Sequence, residues 1–242
     1  MLGLGVGFYK LAGNDYPGGW NPSNLGNKLQ VWLQFNTGIS TSTVGESTNQ
    51  ITRWTDQSGR GNHVAPASAE DVNEMPKLDT DNTVLFNSNT DSLIFSSALS
   101  LGTFAIYWKA NWANPISNDV PFEGNSNNFI KLASSTEIRF KADGQTREDA
   151  TIGEIVDDGT TPVILGMERA SNGDLAAYKD NTEGTFSTSS PKDGNTPVAN
   201  TLDLTQIGDG TASSNWYEVV ICNDVLSTSE RNELYNYLVS VE

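Results

Sequence analysis

The chain has 242 residues, 36% hydrophobic and 9% aromatic, with a formal charge of −16 from 30 acidic against 14 basic side chains. That content fills a core and excludes wholesale disorder, and the length suits one large β domain. The charge excludes nucleic acid as a partner, because phosphate binding needs clustered Lys and Arg and the sequence has no basic run.

No stretch approaches the ~18 apolar residues of a membrane helix, so no membrane partner is expected. The opening MLGLGVGFYK lacks the basic region and apolar length of a signal peptide. No asparagine opens an Asn-x-Ser/Thr acceptor with x other than Pro, which disfavours a glycosylated eukaryotic exterior and fits a prokaryotic or viral source. The single cysteine, Cys222, excludes an intramolecular disulfide; within VVIC it reads as a buried small hydrophobe.

Residues 1–27 form a glycine-rich arm with Phe8, Tyr9, Tyr16 and Trp20 spaced along it. Gly3, Gly5 and Gly7 are not a phosphate loop, since no strand precedes them and no helix pattern follows. Such a segment gains little by folding alone, so its four aromatics are expected to contact a neighbouring subunit.

From Lys28 the apolar period becomes two. In KLQVWLQF, Leu29, Val31, Leu33 and Phe35 share one face, which leaves Trp32 on the other. Next comes RWTDQSGRGNH, with Asp56, Ser58, Arg60, Asn62 and the only histidine, His63. It reads as a tight turn: Asp56 accepts backbone N–H groups, Gly59 and Gly61 supply positive φ, and Asn62 tolerates the same region. Trp54 reads as core. A competing role for Asp56 is as a Ca²⁺ ligand with backbone carbonyls, helped by acids from DVNE, DTDN or IVDDG if folding gathers them.

GTFAIYWKANW alternates again, with Phe104, Ile106, Trp108 and Trp112 opposite Thr103, Ala105, Lys109 and Asn111. Further strands are expected at TVLFN, SLIFS, NFIKLA, EIRFKA, PVILGMER, LAAYKD, LDLTQIG and WYEVVIC, separated by Gly-, Asn- and Asp-rich turns. Many short strands predict an all-β antiparallel sandwich or barrel. One helix is predicted at the C-terminus, opened by a Ser227/Glu230 capping box and striped by Leu234, Leu238 and Val241.

Four segments, in order, resemble the concanavalin A-like lectin/glucanase superfamily, especially its laminin-G-like modules in bacterial and phage proteins. These are KLQVWLQFNTGIS with ITRWTDQSGRGNH, then LGTFAIYWKANW, then VILGMERASNGDLAAYKDNTEG, and finally IGDG with WYEVVICNDVLSTSERNELYNYLVSVE. They span residues 28–242, and the resemblance implies a two-sheet jelly-roll sandwich over that range. Glucanases of this superfamily carry paired carboxylates as E-x-D-x-x-E, and no E-x-D occurs here. Glu154 and Asp157 would face opposite sides of a strand. No catalytic residue is assigned and an enzyme is not expected.

Two functions follow as expectations. The first is a bacteriophage virion structural protein (capsid decoration, head fibre or tail-associated), homo-oligomeric and bound to other virion subunits such as the major capsid or tail protein. The alternative is a carbohydrate-binding lectin-type module, secreted or on a bacterial surface, that recognises a host surface glycan through Trp32, Asn111, Trp112 and Asn114. No cofactor is expected beyond the Ca²⁺ considered at Asp56.

Overall fold

The computed structural model describes residues 19–88, 90–114, 116–142, 147–186, 200–208, 210 and 212–241. A 3-10 turn over Pro22–Lys28 leads into β1 (Leu29–Leu33), β2 (Ile39–Val44), β3 (Ser47–Trp54), β4 (Val64–Ala65), β5 (Lys77–Leu78) and β6 (Val84–Phe86). Then follow β7 (Ser92–Leu101), β8 (Phe104–Trp112), β9 (Asp119–Asn125), β10 (Asn128–Ser134), β11 (Glu137–Lys141) and β12 (Glu148–Thr151). The chain closes with β13 (Val163–Arg169), β14 (Leu175–Lys179), β15 (Thr182–Glu183), β16 (Thr185–Phe186), β17 (Leu202–Gly208), β18 (Ser214–Cys222) and α1 (Thr228–Ser240).

All described pairings are antiparallel, and they form two stacked layers. In the first, β1 and β6 lie end to end along β18, followed by β8, β13, β14 and β15. The second runs β2, β3, β4, β7, β17, β9, β10, β11, β12, β16. Strand β5 bridges β3 to β6 and joins the layers along one side. The expected β-sandwich with one C-terminal helix is the fold observed.

Strands β8 and β13 of the first layer are buried on both faces. Inward residues of β8 (Phe104, Ile106, Trp108, Ala110, Trp112) meet Phe122, Phe140, Trp216 and Val219 in a core between the sheets. Its outward residues Ala105 and Tyr107 join Val220, Cys222, Leu234, Tyr237, Leu238 and Val241 in a second core beneath α1. Helix α1 is pinned by the predicted cap: Glu230 N–H donates to Ser227 Oγ at 3.2 Å and Ser227 N–H to Glu230 Oε2 at 2.7 Å. A 13-residue helix is marginal alone. Burying side chains such as Leu234, Tyr237 and Leu238, at ~1.5–3 kcal/mol each, is what holds it. Cys222 lies in this second core as a buried hydrophobe, and burial pushes its thiol up to about 12.

Two corrections to the β1 pattern follow. A register shift between Leu29 and Val31 turns Leu29 to the α1 side, and Phe35, beyond the strand end, lies there too. Trp32 is on the outward face as predicted, but α1 covers that face and leaves the indole 8% exposed.

The described part of the arm packs against this domain. Asn21 caps the Pro22–Lys28 turn, Leu25 is buried, and Trp20 packs on Tyr237 with ring centroids 6.2 Å apart. Trp20 thus completes the apolar surface around Tyr237 of this domain's own helix while staying partly exposed. Phe8, Tyr9 and Tyr16 lie outside the described residues.

Candidate functional site: a cleft at the end of the C-terminal helix

The local event that builds the site is a β-bulge in β18. Trp216 pairs with Ala110 and Glu218 with Lys109, so Tyr217 is an extra residue opposite no partner. Counted back from inward Val219, strict alternation would send Tyr217 inward; counted on from inward Trp216, it would send Glu218 there. The bulge instead places Tyr217 and Glu218 together on the outward face, the re-aiming that bulges provide near functional sites.

Glu218 has no exposed surface. It accepts Trp32 Nε1–H at 2.5 Å and Phe35 N–H at 3.3 Å, and the Tyr237 hydroxyl interacts with it. Burial raises its carboxyl to about 7, against the pull of these donors and of Lys109. A near-neutral carboxyl often marks catalysis. This one is sealed beneath Trp32 and α1, so no substrate reaches it, and its role is to organise the bulge.

Tyr217 faces a cleft of about 610 Å³ lined by Asp81, Lys109, Thr160, Pro162, Ile164, Asp180, Tyr217, Tyr235, Val239 and Val241. Its ring is held by Phe35 at 5.7 Å, by the Lys109 ammonium at 5.3 Å from the centroid, and by Asn111 Nδ2 at 3.4 Å from the hydroxyl. Burial first, then the Asp81 carboxylate, raises the Tyr217 hydroxyl, so it stays a neutral donor. Lys109 Nζ donates to the backbone oxygens of Val241 and, at 3.5 Å, Val239. That ties the cleft floor to the C-terminal end of α1, the end that favours a cation.

The opposite wall is loop 157–162. Asp158 accepts the N–H groups of Thr160 and Thr161 at 2.8 and 2.7 Å and the Thr161 hydroxyl at 2.7 Å, and these bonds lower its carboxyl to about 2. Gly159 N–H donates to the Trp112 backbone oxygen at 2.7 Å, with Gly159 at φ +73°, which fixes Thr160 over the cleft. Asp180 accepts Ile164 N–H and Lys179 Nζ, both at 3.0 Å.

The four glycan residues named from sequence lie around this cleft, not in it. Trp32 is under α1; Trp112 points into the inter-sheet core, where its Nε1 donates to Asp119 at 3.0 Å. Asn111 is 3% exposed and buttresses Tyr217 from behind. Asn114 is exposed, away from the cleft lining. Indoles with this much apolar area are drawn into the two cores. Sequence reasoning passed over Tyr217 and Tyr235. Only the WYE run could have flagged Tyr217, and no alternation rule reveals a bulge.

The RWTDQSGRGNH stretch is a clasp for β1. Asp56, 6% exposed, accepts Trp32 N–H (2.9 Å), Ser58 N–H (2.8 Å), Ser58 Oγ–H (2.7 Å) and Asn62 N–H (3.0 Å). Those four donors make Asp56 a turn-organising carboxylate. No group of three acidic, His or Cys side chains suited to a metal occurs among the described residues. Gly59 and Gly61 have the expected positive φ, at 80° and 81°; Asn62 does not, and its Nδ2 donates to the Gln30 oxygen at 2.9 Å. His63 Nδ1 accepts Asp56 N–H at 3.1 Å. Trp54 is fully buried, as expected.

Glu154 and Asp157 lie outside any strand, so the opposite-face argument does not apply to them. A second polar cluster, missed from sequence, lies farther along α1. Glu168, 4% exposed, accepts the Tyr107 hydroxyl at 2.6 Å and Arg231 Nε at 3.1 Å, while the Arg231 guanidinium lies 4.4 Å from the Tyr178 ring centroid. Gly166 makes room for it, since a Cβ there would stand 2.3 Å from the Tyr107 ring.

No protein-family model and no curated protein sequence matches this chain. Solved structures do. It is similar to the binding domain of Paraclostridial Mosquitocidal Protein 1 (12% identity, TM-score 0.61, 90% of this chain and 53% of that one). It is also similar to the binding domain of Botulinum Neurotoxin DC in complex with SialylT (12%, 0.58, 90% and 52%). A third is Trypanosoma rangeli sialidase in complex with the inhibitor DANA (13%, 0.51, 86% and 32%). The chain thus spans about half of each binding domain and a third of the sialidase. At such identities the likeness establishes a lectin-like β-sandwich fold.

Proposed function

We propose that this chain is a non-enzymatic carbohydrate-binding module of concanavalin A-like type that takes a glycan in the Tyr217–Tyr235 cleft. The observation that carries the reading is the bulge that turns Tyr217 outward beside Asp81, Asp180 and Thr160 in a cleft of about 610 Å³. A pyranose offers an apolar C–H face to an aromatic ring and hydroxyls to carboxylates around its rim. A volume of several hundred Å³ with a few polar groups is the usual size for such a ligand. The fold of two toxin binding domains, one solved in complex with SialylT, supports the same direction.

The absence of catalysis belongs to this reading. Glu218, the carboxyl tuned to about 7, is sealed from the cleft, and Asp180 is engaged through both oxygens. The virion role expected from sequence rests in part on the arm, whose described aromatic, Trp20, packs on Tyr237. The glycan reading has the stronger physical footing.

The test is a panel of immobilised oligosaccharides probed with the intact chain, followed by a crystal structure with any binder. Ligand density between Tyr217 and Tyr235 supports the reading. Density elsewhere, or no binder in the panel, refutes it.

A further inference from the structure

We propose that the cleft admits uncharged glycans and turns away sialylated or sulfated ones, an inference that rests on the glycan-binding reading above. The polar lining combines the carboxylates of Asp81 and Asp180, the latter paired with Lys179 Nζ at 3.0 Å, with the hydroxyls of Thr160, Tyr217 and Tyr235, which both donate and accept. Among the described residues one cation, Lys109, lines the cleft, and its charge is committed elsewhere. It is 6% exposed, donates to the carbonyls that end α1, and lies over the Tyr217 ring. Among the described residues no arginine lines the cleft to offer the paired N–H groups that recognise a carboxylate or sulfate.

An anionic sugar would therefore shed water beside two carboxylates and gain no new ion pair, which costs affinity. The whole-chain charge of −16 adds a repulsive field during approach. A neutral pyranose meets the opposite situation. Its hydroxyl protons point at acceptors, and its carbon face meets Tyr217 or Tyr235. Asp81, exposed at the rim and close enough to influence the Tyr217 hydroxyl, is the residue through which the discrimination acts most directly.

The experiment is calorimetric titration of the intact chain with neutral galactose-, glucose-, mannose- and N-acetylglucosamine-terminated oligosaccharides, then with the sialylated and sulfated counterpart of each binder. The neutral member should bind about tenfold tighter, a ratio expected for one like charge near the surface. Raising the salt should narrow that ratio, because exposed charges are screened. Asp81→Asn should narrow it severalfold at low salt. Charged counterparts that bind as tightly as neutral ones, or a ratio indifferent to salt and to Asp81→Asn, would overturn the proposal and leave glycan binding intact. Failure of every oligosaccharide to bind removes the glycan reading and this inference together.

Discussion

The indole Nε1 of Trp32 donates to Glu218 Oε1 at 2.5 Å, and the carboxylate has no exposed surface. The bond joins β1 to the bulge of β18 under the cover of α1. Trp32→Phe keeps most of the apolar bulk but leaves a buried carboxylate short of a donor. The expected cost is about 2–4 kcal/mol, the usual range for orphaning a buried group with some loss of packing. In a domain of this size that lowers Tm by roughly 5–15 °C. A surface sugar platform would behave differently, so an unchanged melting curve refutes the buried placement.

Glu218 makes stability depend on pH in a defined direction. Its carboxyl is raised from 4.5 to about 7, so between those values the folded chain holds a proton that the unfolded chain has released. Stability from this group is complete below about pH 4.5 and is lost as pH rises toward 7. The total is on the order of 3 kcal/mol. Glu218→Gln should flatten the fall. Denaturant midpoints measured from pH 4.5 to 8 for both proteins check this, and parallel curves would exclude Glu218 as the source.

Much of the fold was legible in the sequence because its signals are local and apolar. The alternation of β8, the capping box and stripe of α1 and the Asp56 turn each follow from spacing alone. Strands β2 and β3 were not legible as strands, since ISTSTV and STNQITRW are mostly polar and show no apolar alternation. Strand β9 carries Pro121 and Gly124, which mask the pattern. The site was hidden for another reason. Alternation sorts residues into inside and outside, but it cannot say that α1 converts the outside of β1 and β8 into a second core. Trp32 and Asn111 were therefore read as exposed. Tyr217 was missed because a bulge is a departure from the very period being counted.

Asp56 should behave as a structural carboxylate. Asp56→Ala strands the N–H groups of Trp32, Ser58 and Asn62, and the expected loss is about 2–4 kcal/mol in a chemical denaturation experiment. Chelator or added Ca²⁺ should leave the wild-type Tm unchanged. A calcium-dependent rise would show that oxygen ligands gather at this turn.

The account stands most directly on Tyr235, which lines the cleft from α1 and is only partly buried. Calorimetric titration of wild type and Tyr235→Ala with a glycan from the panel decides it. The account predicts that affinity falls about five- to thirtyfold, the cost of losing one aromatic contact of roughly 1–2 kcal/mol, while Tm moves by only a few degrees. Equal affinity in the two proteins would contradict it.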